Sequence, residues 1–77
     1  MEQKVFEILE SICGTDEVRE DKDINLFEVG LLDSLGVIEL LIQLEEGLGI
    51  KIEPTEVLRE EIETPNKILE YLAKRGV

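Results

Sequence analysis

Few side chains in this sequence can do chemistry. It contains no histidine, so neither Ser34 nor Cys13 has an imidazole to take its proton, and no lysine lies near Ser34 in sequence. Cys13 closes an apolar helical pattern and reads as a small core or helix-end residue. Asp21-x-Asp23-x-Asn25 matches the first three ligands of a calcium loop. Leu26, however, stands where the turn glycine belongs, and Leu32 where the bidentate glutamate belongs. What remains is Asp33-Ser34, within Phe27-Glu28-Val29-Gly30-Leu31-Leu32-Asp33-Ser34-Leu35-Gly36. Asp-Ser alone is an ordinary way to start a helix. Here the hydroxyl sits where a loop becomes an apolar helix, and another enzyme can use it as the acceptor of a transferred group. An anion attached there meets free backbone N–H groups and the positive end of the helix dipole.

Several elements must hold that serine in place. Val5, Ile8, Leu9 and Ile12 recur at helical spacing, which predicts a first helix over Gln3 to Cys13 with Gly14 as its stop. Thr15 to Asp33 is then a long connection, polar at first and apolar later, which fits a segment that lies across the helices and closes the core. A second helix is expected from Ser34 to Leu48. Val37, Leu40, Leu41, Leu44 and Leu48 share one broad face of it, and Leu35, Ile38 and Ile42 form a separate stripe. That stripe adjoins Ser34 and is read as a docking patch, unless the long loop or a third helix covers it. Ile50-Lys51-Ile52 is a short extended link. Thr55 to Glu61 is expected to form a short third helix with Val57 and Leu58 inward. Thr64 as N-cap and Pro65 at the first position open the last helix. Its core stripe is Ile68, Leu69 and Leu72, with Tyr71 at the edge and Lys74 and Arg75 at the negative end.

Seventy-seven residues, 43% of them hydrophobic, make one domain, residues 1–77, able to bury a core of its own. Nineteen acidic residues against eight basic ones give a net charge of −11. That makes nucleic acid and anionic membrane surfaces poor partners and favours basic protein surfaces, the alternative being a charge that only maintains solubility. The acids crowd the serine: no Lys or Arg stands between Lys22 and Lys51, whereas Asp23, Glu28, Asp33, Glu39, Glu45 and Glu46 do. No apolar run approaches the ~20 residues that span a bilayer, and the N-terminal residues lead straight into an amphipathic pattern without signal-peptide character. The simplest expectation is a cytoplasmic monomer, not membrane-embedded, without a disulfide framework.

The segment around Ser34 resembles the attachment site of acyl and peptidyl carrier proteins, whose core is Asp-Ser-Leu/Met or a near variant. Fatty-acid carriers usually place an acid where this chain has Gly36, and peptide carriers usually place Gly-Gly or a histidine before the serine. The D-alanyl carrier proteins of teichoic-acid modification are more similar. Gly30, Leu31, Leu32, Asp33, Ser34, Gly36, Glu39 and Leu40 match their pattern, as do Glu56, Arg59, Glu60, Thr64, Pro65, Asn66 and Ile68. Leu35, Val37 and Ile62 depart from it, replacing Phe or Met, Thr, and Trp.

The resemblance implies an all-α, acyl-carrier-type four-helix bundle, three longer helices and one short, with a long first loop. It implies 4'-phosphopantetheine joined to Ser34 by a phosphopantetheinyl transferase that uses coenzyme A. The chain is then a substrate and not a catalyst. A D-alanine-activating adenylating ligase would load the arm, and a membrane-bound O-acyltransferase system would take the alanine towards teichoic acid. Asp33, Leu35, Ile38, Glu39, Ile42 and Glu46 would meet these partners. A fatty-acid, polyketide or other aminoacyl cargo remains the alternative within the family. An unmodified helical adaptor that uses the Ile38 and Ile42 patch is the alternative outside it.

Overall fold

Four α-helices and two 3-10 turns account for the regular structure of residues 2–76, which are those described by the computed structural model. Helix α1 spans Glu2–Cys13 and buries Val5, Phe6, Ile8 and Leu9, so its apolar spacing does become its packed face. It stops at Gly14, whose φ of 71° is open to glycine at little cost and whose N–H donates to the Glu10 carbonyl at 2.9 Å. Helix α2, Glu17–Glu20, is one short turn inside the long connection and buries Val18. Helix α3 is Ser34–Leu48, and α4 is Pro65–Lys74. The bundle therefore has three longer helices and one short one, as expected, with no strand among the described residues.

The short helix lies elsewhere than the sequence suggested. Residues Thr55 to Glu61 do not form one helix. They break into two 3-10 turns, Pro54–Glu56 and Arg59–Glu61, with Val57 and Leu58 extended between them. A single α-helical face there would carry only two adjacent apolar residues. Breaking it lets Val57 pack on the core and buries Ile62, while Leu58 faces solvent at 62% exposure. Leu58 was expected inward. Glu61 satisfies the interruption by accepting from the Leu58 N–H at 2.8 Å. Tyr71, expected at an edge, is buried with Ile68 and Leu72, whereas Leu69 is half-buried.

The core lies mainly between α1 and α3 and is closed by α4 and the loops. Leu9, Leu26, Leu40, Leu44 and Leu72 are fully buried, each contributing about 1.5–3 kcal/mol relative to exposure. Leu26 and Leu32 bring the long connection into this core, consistent with its apolar second half. Two backbone bonds fasten it to the start of α4: the Leu26 N–H donates to the Glu63 carbonyl at 2.7 Å, and the Asn66 N–H to the Lys22 carbonyl at 3.0 Å. The oxygens of the calcium-like triplet are used in the same way. Asp21 accepts from the Asp23 N–H, Asp23 from the Asn66 side chain, and Asn25 from the Phe27 and Glu28 N–H groups. None of the described helices is long and apolar enough to cross a membrane.

Candidate functional site

Ser34 is the first residue of α3, and its position follows from the turn before it. The Leu31 and Leu32 N–H groups both donate to the Leu26 carbonyl, at 2.9 and 3.0 Å, with Gly30 at φ 77° supplying the reversal. Asp33 is extended, and its Oδ1 accepts from the Gly36 N–H at 2.8 Å. This is an N-cap made by the residue before the serine. The carboxylate thus satisfies the helix start, and Ser34 is left exposed at the mouth of it.

Gly36 fits this arrangement closely. A Cβ there would lie 2.9 Å from Leu32 Cδ1 and 3.3 Å from Asp33 Oδ1. The absence of a side chain lets Leu32 pack under the first turn while Asp33 reaches the Gly36 N–H.

Two grooves flank α3. One, of about 870 Å³, runs between α1 and α3 and is lined by Leu35, Ile38, Glu39, Ile42 and Glu46, with Lys4 and Glu7 opposite. Five of the residues expected to meet partners therefore share one surface. Leu35, Ile38 and Ile42 are 77%, 46% and 51% exposed, so neither the long loop nor the 54–61 segment covers the stripe. On the other face of α3, Leu40, Leu41 and Leu44 are buried, as the periodicity required, while Val37 and Leu48 are half-buried.

The second groove, of about 560 Å³, opens at the serine itself. Asp33, Ser34, Val37 and Ile38 form one wall, and Phe27, Val57, Arg59 and Ile62 face them. Ile38 belongs to both grooves and joins the exposed apolar stripe to the serine. The Arg59 guanidinium stacks 4.2 Å from the Phe27 ring centroid. Phe27 and Arg59 enter the sequence pattern only as parts of longer motifs, and Ile62 as a departure from one; residue order places none of them beside Ser34. Their nearness arises from chain reversal, which periodicity does not encode.

Chemically, the site offers an accessible hydroxyl at a helix start, a groove of mixed polarity beside it and an exposed apolar stripe. Burial raises the Cys13 thiol above its ordinary range, which makes it a poor nucleophile. The Ser34 hydroxyl is exposed at the start of α3.

Comparison with known proteins agrees. Residues 3–72 match the family described as "Phosphopantetheine attachment site". A protein of Abiotrophia defectiva named D-alanyl carrier protein is 51% identical over 75 residues, covering 97% of this chain and 95% of the relative. Proteins of the same name from Lactococcus lactis subsp. cremoris and Enterococcus faecalis are 48% and 46% identical. They cover 88% and 94% of this chain, and 86% and 92% of their own lengths.

Proposed function

This chain belongs to the phosphopantetheine attachment-site family, and on that premise we propose that Ser34 receives the 4'-phosphopantetheine arm and that the protein carries D-alanine. The observation that carries the assignment is the division of labour at the start of α3. Asp33 makes the cap, and the adjacent hydroxyl remains exposed. The residues present fit the group. Modification of Ser34 puts a phosphodiester beside a helix N-terminus, where the dipole favours negative charge. The neighbouring groove can take part of a flexible chain without opening the core. When attached, the arm supplies a terminal thiol that holds cargo as a thioester.

The chain's own residues present and orient. Ser34 accepts the arm from a phosphopantetheinyl transferase that uses coenzyme A, and the protein itself acts as a non-catalytic substrate. Leu35, Ile38 and Ile42, with Glu39 and Glu46 beside them and Asp33 at the serine, form the surface offered to basic patches on partner enzymes. Charge complementarity there speeds encounter and selects orientation. The D-alanyl carrier relatives support an adenylating ligase as the loading partner and a membrane-bound O-acyltransferase system as the recipient. Residues 1–77 act as one carrier domain, a cytoplasmic monomer.

Intact-mass measurement tests this reading. The protein and Ser34→Ala are treated with coenzyme A, magnesium and a broad-specificity transferase, then with ATP, D-alanine and a D-alanine ligase. One arm and then one alanine are expected, both absent from Ser34→Ala. An arm without alanine would refute the cargo and keep the carrier. No arm on the unmutated protein would refute the assignment in favour of an adaptor.

A further inference from the structure

Arg59 stands out in a chain so rich in acid. Arg19 pairs with Glu10 at 2.8 Å, and Arg75 with Glu56 at 2.8 Å. Among the described residues, no carboxylate lies within ion-pair distance of the Arg59 guanidinium. Two acids near it in sequence or space are otherwise engaged: Glu61 accepts from the Leu58 N–H, and Asp33 from the Gly36 N–H. Instead of an acid, Arg59 has an aromatic face. Stacking on Phe27 fixes the plane of the guanidinium and leaves its N–H edges available. Among the described residues it is also the only basic one lining the groove that contains Ser34.

We infer that Arg59 is a positioning residue for the prosthetic arm, holding the phosphodiester attached to Ser34 through its guanidinium edge. This rests on the Ser34 assignment and extends it. The modification adds a negative charge next to the Asp33 carboxylate, and like charges so placed repel. A planar donor fork opposite them offsets that repulsion and suits phosphate oxygens better than a lysine would. Because Phe27 already orders the side chain, less rotamer freedom is lost when the anion arrives. The arm leaving Ser34 is thereby directed along Val37 and Val57 instead of sampling all directions from the helix end.

The test compares apo and modified protein by NMR of the arginine Nε–H groups. Arg19 and Arg75, tied to their own carboxylates, serve as internal references. The Arg59 signal is expected to shift clearly on modification while the other two stay in place. The 31P resonance of the modified protein is expected to move towards that of the same phosphodiester in urea-unfolded protein in the presence of Arg59→Gln, and much less with Arg59→Lys. An Arg59 signal unmoved in protein whose mass shows one arm would overturn the inference, as would a 31P resonance indifferent to Arg59→Gln. If mass shows no arm, it is the Ser34 assignment that fails, so the two failures are distinct.

Discussion

Removing the Asp33 carboxylate tests how the serine is held. In Asp33→Ala the Gly36 N–H loses its 2.8 Å acceptor and must turn to water. Loss of an N-cap of this kind costs about 1 kcal/mol, within a range of roughly 0.5–2. The charge on Asp33 also faces the positive end of the α3 dipole, worth about 0.3–1 kcal/mol at an exposed position. Asp33→Asn keeps the acceptor and loses only the charge, so it separates the two contributions. The turn before the cap should survive either change, because the bonds from Leu31 and Leu32 to the Leu26 carbonyl do not involve the side chain. For a domain of this size each kcal/mol moves Tm by roughly 4–8 °C. Thermal unfolding followed by circular dichroism at neutral pH, checked by urea denaturation with an unchanged m value, should therefore rank the proteins as unmutated, then Asn, then Ala. The Ala variant should melt about 4–8 °C or more below the unmutated protein. Equal melting of the Ala variant and the unmutated protein would refute the cap as the element that fixes Ser34. Equal loss in Asn and Ala would mean that charge, not the hydrogen bond, does so.

The Arg75–Glu56 contact should make stability depend on pH. The hydrogen bond from Arg75 holds the Glu56 carboxyl below the usual glutamate range, helped by the Glu53 N–H. A depressed carboxylate pKa gives stability present above the unfolded value and lost as pH falls through the folded one. The deficit of Arg75→Ala in urea denaturation should therefore be largest at neutral pH and shrink below the ordinary glutamate value. It should not vanish, because the 3.0 Å bond from Arg75 to the Lys51 carbonyl persists in acid; a deficit independent of pH would contradict the coupling. On the exposed stripe of α3, Ile42→Glu, at a half-exposed position, should change stability by no more than about 0.5–1 kcal/mol. It should raise the ligase KM for the carrier several-fold, and an unchanged KM would remove Ile42 from the interface.

Local rules made α3 and its serine legible from the sequence. Helical spacing separated Leu40, Leu41 and Leu44, which are buried, from Leu35, Ile38 and Ile42, which are exposed. Asp33 before the apolar run marked the helix start, and Thr64-Pro65 marked α4, where the Thr64 hydroxyl accepts from the Lys67 N–H at 3.0 Å. These signals operate within one or two turns of chain, so residue order is enough to reveal them. The segment 54–61 was read differently because its helical propensity is overruled by the need to bring both Val57 and Ile62 to the core. Tyr71 is buried for a related reason: α4 turns that flank inward once the preceding turns pack against it.

The sequence alone determined the three longer helices, the acidic face and the place of Ser34 at a helix start, because each depends on neighbours along the chain. Tertiary structure alone decided what faces that serine. Only the folding of the long connection and the 54–61 segment against α3 sets Phe27 and Arg59 beside one another at 4.2 Å and across the groove from Ser34. Those are contacts between distant segments, governed by burial and chain closure, which local periodicity does not record.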